Sequence, residues 1–171
     1  MKRLAWLSLL LAMAACQPAA AEAPSTLAPA ATTVAAKPTA TEISPVYVPA
    51  LCTLMGRDVR SDFPAGHPAI VIWGWSAAME EQVRDYIRVG KVVVTFDGVE
   101  IFGQQQGDIP YDETAKLYKA VWMSNAGIPK PGIHKITYLL TFSEKLFDGF
   151  DYYGPGTDKE KQEDKCEIEV K

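Results

Sequence analysis

Between Lys91 and Phe102 the chain reads Lys-Val-Val-Val-Thr-Phe, then Asp97-Gly98, then Val-Glu-Ile-Phe. β-Branched and aromatic residues suit a pleated, half-buried surface, and an Asp-Gly pair between them supplies the two positive-φ positions of a two-residue hairpin turn. A lone hairpin is marginal in water, so this pair demands further strands to pack with. Several segments qualify. Residues 45–48 and 51–54 read as a first strand around Cys52, and residues 69–75, apolar on both faces, read as a strand at the centre of the fold. Residues 116–123 alternate, Tyr118, Ala120 and Trp122 against Leu117, Lys119, Val121 and Met123, and residues 133–142 form a long strand after a Lys130-Pro131-Gly132 turn. Residues 166–170 form the last strand. Residues 158–165 alternate in charge sign and read as a solvated approach to it.

One helix is expected, over residues 77–88. Ser76 serves as its N-cap, and Glu80 and Glu81 sit where carboxylates favour the positive end of the dipole. Met79, Val83, Tyr86 and Ile87 follow helical spacing, and Gly90 stops the run. About seven short strands with turn chemistry between them give an all-β fold, a β-sandwich with one short helix. The run Pro131-Gly132-Ile133-His134-Lys135-Ile136-Thr137 resembles the entry into an alternating strand in many bacterial immunoglobulin-like and fibronectin type III-like domains. That resemblance implies an immunoglobulin-like sandwich, with His134 fixing the corner before the strand. The helix after Trp75 departs from the plainest version of that fold.

The amino terminus carries a different message. Lys2 and Arg3 precede an apolar run, residues 4–12, too short to span a bilayer comfortably, and Met13-Ala14-Ala15-Cys16 follows. Residues 11–16 resemble the lipobox of bacterial lipoproteins, in which a cysteine receives a diacylglyceryl group before cleavage. Met13 departs from the aliphatic residue usual at its position. The resemblance implies a signal peptide over residues 1–15 and lipidation of Cys16, and Gln17 resembles the pattern of outer-membrane sorting. The competing reading is ordinary secretion, with cleavage after Ala21 and loss of Cys16. Two acyl chains, at about 0.8 kcal/mol per buried methylene, would anchor the chain without a membrane-spanning helix.

Residues 16–45 form the lipidated cysteine and a tether. Prolines at 18, 24, 29, 38 and 45 break any alanine helix and bias the segment toward extended conformations of about 3.1 Å per residue. Its Thr and Pro content also resembles glycosylated stalks. Residues 46–171 then form one domain. Of 17 basic and 21 acidic residues in the chain, Lys2, Arg3, Lys37, Glu22 and Glu42 precede this domain, leaving 14 and 19 and a net charge of −5. That charge argues against nucleic acid as a partner. Cys52 and Cys166 bracket the domain, and in an exported protein an even pair invites a disulfide. A loop of that length is worth about 4–5 kcal/mol in the chain-entropy treatment, as an upper bound. The alternative is two separate buried thiols.

Motifs for chemistry are sparse. His67 and His134 are the only histidines, and no Cys/His cluster has zinc-ligand spacing. No Gly-x-Ser-x-Gly elbow, Ser-x-x-Lys motif or glycine-rich phosphate loop is present. Asp148, Asp151 and Asp158 lie in a glycine-rich stretch but lack calcium-loop spacing and read as turn formers. No catalytic residue, cofactor or metal is expected. Trp73, Trp75 and Trp122 read chiefly as core, whereas Tyr111, Phe150, Tyr152 and Tyr153 are candidate contact residues for a protein or glycan.

The expectation is a membrane-anchored, extracytoplasmic binding or adhesion module without catalytic activity. It would sit on the outer face of the cytoplasmic membrane or on the outer membrane. A structural or assembly subunit of an envelope complex is the alternative. A less favoured one is an envelope hydrolase gathering His67 or His134 with a serine and a carboxylate. Replacement of Cys16 by Ser should move the protein from the membrane fraction to the soluble fraction on cell fractionation; unchanged membrane retention would refute the anchor.

Overall fold

The computed structural model describes residues 43–53 and 59–171. The expected signal segment over residues 1–15, Cys16, the expected tether up to residue 42, and Leu54 lie outside the described residues. The fold is mostly β, with two interacting sheets and a single helix among the described residues. The elements are β1 (Val46–Pro49), β2 (Val59–Phe63), β3 (Ala69–Ala77), α1 (Glu80–Val89), β4 (Gly90–Phe96), β5 (Val99–Ile101), β6 (Gln104–Gln105) and β7 (Tyr111–Asp112). They continue with β8 (Leu117–Asn125), β9 (Gly132–Phe142), β10 (Leu146–Phe147), β11 (Tyr152–Tyr153) and β12 (Lys161–Val170).

One sheet runs β1-β3-β8-β6, with β7 also on β8; the other runs β2-β12-β9-β4-β5. β10 and β11 form a separate two-stranded ribbon. These strands outnumber the roughly seven expected, because short ladders at the edges and in the late loop carry no periodicity of their own. β1 pairs parallel with β3, and β2 parallel with β12. Parallel neighbours cannot be joined by a tight turn. The chain therefore passes from β1 in one sheet to β2 in the other and returns as β3.

The hairpin reading holds. Asp97 and Gly98 have φ of 51° and 81°, and Phe96 pairs with Val99 across the turn. β3 is central in its sheet, flanked by β1 and β8. Its two-residue period buries Ala69, Val71, Trp73, Trp75 and Ala77. Facing them across the sandwich are Ile136, Tyr138, Leu140 and Phe142 of β9 and Cys166, Ile168 and Val170 of β12.

The helix begins later than its polar residues suggested. Ser76 is exposed within β3 and does not cap it; Met79 is the N-cap residue, and its N–H donates to Gln82 Oε1 at 2.9 Å. β3 keeps its pairing through Ala77, opposite Tyr118, so ladder hydrogen bonds override the local capping preference. α1 buries Val83, Tyr86 and Val89 over the end of the sandwich and passes directly into β4. The Tyr86 ring stacks on Trp75, with centroids 4.5 Å apart and planes 3° from parallel. Burial, with the neighbouring Tyr138 hydroxyl second, raises the Tyr86 phenol well above its ordinary range, and burial pushes Tyr138 up to about 12.

β12 corrects a second expectation. It starts at Lys161, so the alternating charges of residues 161–165 belong to a strand whose outer face is solvated. Its inner face carries Asp164 and Cys166, both buried. Cys166 forms the disulfide to Cys52, with Cα atoms 5.4 Å apart. The Cys52 N–H points at Cys166 Sγ at 3.0 Å, the Thr53 N–H donates to Asp164 Oδ2 at 3.1 Å, and the Thr53 hydroxyl also bonds Asp164. Leu51, Cys52 and Thr53 are consequently not strand; they are the crossing between sheets, clamped at two successive inward positions of β12.

Removing this clamp by a Cys52→Ala/Cys166→Ala double substitution should lower unfolding free energy by about 2–5 kcal/mol in urea melts. Peptide mapping of the native protein without reductant should return the two cysteine peptides as one species. Free thiols at both positions would contradict the assignment.

Candidate functional site

Pairing register divides the ends of the domain. Val46 enters opposite Ala69, and the Ala69 N–H donates to the Gly127 carbonyl. The 64–68 loop joins that end, because His67 Nδ1 donates to the Ser44 carbonyl at 2.8 Å and the Ala65 N–H to the Lys171 carbonyl. The Asp97-Gly98 turn lies there too, its Asp97 N–H donating to the Lys135 carbonyl. At the opposite end, Ala77 faces Tyr118 and the Ala78 N–H donates to the Asp148 carbonyl. Eight residue steps of β3 separate the ends, about 26 Å at strand rise.

The end remote from Val46 carries the aromatic candidates. Asp148 is buried, and its Oδ1 accepts the N–H groups of Phe150 and Asp151, each at 2.8 Å. Gly149 has φ of 100° and presses against Ala78; a Cβ there would lie 2.4 Å from the Ala78 Cβ. This turn holds Phe150 outward, 68% exposed. In the adjacent ribbon, Tyr152 packs on Phe147 with centroids 4.7 Å apart, Lys145 Nζ lies 4.4 Å from its ring centre, and it remains 53% exposed. Tyr153, on the other face, turns inward and meets Trp75 edge-on at 4.9 Å. Its burial, then the nearby Asp148 carboxylate, raises its phenol pKa.

Tyr111 completes this end, packing on Tyr118 at 4.9 Å while 40% exposed. The turn after it is anchored by Asp112, which accepts Lys119 Nζ at 2.8 Å and the N–H groups of Ala115 and Thr114. Those three donors, Lys119 first, hold its carboxyl at about 2. Tyr111, Phe150 and Tyr152 therefore offer ring surface at one end, while Tyr153 braces it from within. Phe147, which the sequence reading did not single out, belongs with them; its only sequence signal is an apolar residue beside an Asp-Gly turn.

The histidines are held elsewhere. His134 bonds Asp97 Oδ2 through Nδ1 at 2.6 Å and the Lys130 carbonyl through Nε2 at 2.7 Å, and its ring stacks on Phe96. Both partners accept, so the two bonds are made together by the imidazolium. Burial opposes that charge, but the hydrogen bonds to Asp97 and Lys130 outweigh it and raise the His134 pKa. Asp97 is lowered: burial opposes, and the Lys135 N–H and His134 prevail. His134 lies within β9, paired with Ile168, and both of its ring nitrogens are engaged by these two bonds. His67 is half-buried in the 64–68 loop.

Asp148 is committed to backbone N–H groups and Asp151 pairs with Lys159, so this stretch is a set of turns. Among the described residues no group of three His, Cys, Asp or Glu side chains is arranged to hold a metal ion, and no helix is long and apolar enough to cross a membrane. Comparison with protein-family models, curated proteins and solved structures returned no match.

The His134–Asp97 pair should make stability fall with alkali. A raised histidine pKa contributes stability that is complete below the unfolded value, about 6.5, and is lost as pH rises through the folded value. The lowered Asp97 contributes above its own unfolded value and is lost in acid. The expected result is a Tm that drops by about 2 °C between pH 6 and pH 9, a drop absent in His134→Gln. Parallel pH profiles for the two proteins would remove the pair from the account.

Proposed function

We propose that this chain is a lipid-anchored, extracytoplasmic binding module without catalytic activity. Residues 1–15 are the signal peptide, Cys16 bears the lipid, residues 16–45 are the tether, and residues 46–171 are an immunoglobulin-like sandwich. The membrane is one partner, through Cys16; a protein or glycan is the other, met by Tyr111, Phe150 and Tyr152 with Phe147 beside them. The observation carrying this reading is the polarity of the domain. The tether joins at Val46, beside Ala69, while the exposed rings lie past Ala77 at the far end of the same strand. Within the domain those rings lie at the end opposite Val46. Tyr and Phe give large contact area for little lost side-chain freedom, which suits a recognition surface.

The outer face of the β1-β3-β8 sheet favours a second reading, an assembly subunit of an envelope complex. Pro49, Leu51, Ile72, Gly74 and Val121 line an apolar dish of about 210 Å³ there. The outer face of β12 carries Lys161, Glu163, Lys165, Glu167 and Glu169 instead. A solvated sheet face needs no such dish.

Photo-crosslinking amino acids placed at position 152 or at position 72 separate the two in intact cells. The binding-module reading expects adducts from 152, and a Phe150→Ala/Tyr152→Ala variant that loses at least about tenfold in affinity with Tm within about 2 °C of the parent. A single dominant protein adduct from 72, with none from 152, would replace it with the assembly reading.

A further inference from the structure

The flank of the sandwich holds a cleft of about 250 Å³ that the readings above do not use. It opens where the chain leaves β5 at Ile101, crosses between sheets through Phe102 and Gly103, and joins the other sheet as β6. Trp73, Trp122 and Tyr86 form its aromatic lining, with Tyr86 edge-on to Trp122 at 5.8 Å. Gly103 lets the crossing backbone lie against the Trp73 ring, since a Cβ there would sit 2.3 Å from the indole carbons. Phe102 stands at the same opening, 79% exposed, the most exposed large apolar side chain among the described residues. Glu100 is the only charged residue lining the cleft.

We propose that this cleft binds a small organic cation, an alkylated ammonium group. Aromatic faces carry negative quadrupole density that attracts a positive, weakly hydrated head, and here the half-buried Trp122 and the exposed Phe102 supply ring surface above the buried Trp73 and Tyr86. Glu100 adds a full negative charge on the same side. Among the described residues no salt bridge engages it, whereas the exposed carboxylates of α1 and β12 largely face neighbouring Lys or Arg. With no Lys, Arg or His lining the space, an anion finds no counter-charge. A compact cation uses all of these features together: methyl groups against the rings, charge toward Glu100, and Phe102 covering the exposed side. Its lining shares no residue with Tyr111, Phe147, Phe150 or Tyr152, so its failure would leave the reading of those rings untouched.

Tetramethylammonium is the probe, titrated into the full chain at constant ionic strength and followed by two-dimensional NMR of the indole N–H and Gly103 amide signals. The expected result is saturable shifts at Trp73, Trp122 and Gly103 with a Kd in the millimolar range. Glu100→Gln and Phe102→Ala should each weaken binding about three- to fivefold. Both residues are exposed, and unchanged spectra elsewhere verify the fold of each variant. tert-Butanol, a neutral molecule of similar shape, should give no saturable shift. Absence of saturation with tetramethylammonium, equal binding by Glu100→Gln, or an equal response to tert-butanol would each overturn the proposal. Competition by choline against glycerophosphocholine then separates a free solute from a lipid-type headgroup, and either competitor displacing the probe supports the site.

Discussion

Everything in this domain depends on the crossing at Cys52. The chain leaves β1 in one sheet, contributes β2 to the other and returns as β3, so its first strands stitch both layers before either is complete. Residues 51–53 lack a ladder of their own and are held by β12, through the disulfide at Cys166 and the carboxylate of Asp164. Strands alternate faces with a period of two, so residues 164 and 166 share the inner surface. β12 thereby pins the crossing that follows β1.

That crossing also gives the domain its polarity. β1 runs parallel to β3, so Val46 and the start of the central strand share an end, along with the 64–68 loop and Lys171. The other end is left to α1, the β10–β11 ribbon and the β7 turn. Stacking of Tyr86 on Trp75 seals the core beneath them, and Tyr153 closes it from the ribbon side. Rings not used in the seal, Phe150 and Tyr152, remain in water because Asp148 and Gly149 fix the turn that carries them. Core packing and exposed ring surface are thus neighbouring consequences of one loop.

Local chemistry was legible where a residue's role depends on its immediate neighbours. Asp97-Gly98 makes its hairpin because both positions tolerate positive φ. Residues 69–75 and 133–142 announce central strands through apolar density and alternation. Misreadings arose where two local preferences competed. Ser76 is a good cap by type, yet pairing of β3 through Ala77 consumed it. Residues 161–165 look solvated because their outward charges dominate the composition, while the inward Asp164 is hidden among them.

By itself, the sequence determined an all-β domain with one helix, the hairpin, and a pair of cysteines bracketing the folded region. Turn chemistry and strand periodicity are written within a few residues, so those features need no knowledge of distant contacts. Tertiary structure alone decided which face of each strand turns inward at the ends, and so why Tyr153 is braced against Trp75 while Tyr152, beside it, meets solvent. It also brought Glu100 and Phe102 to the same opening as Trp73, Tyr86 and Trp122. Such groupings depend on sheet order and register, which join residues tens of positions apart and leave no local pattern to read.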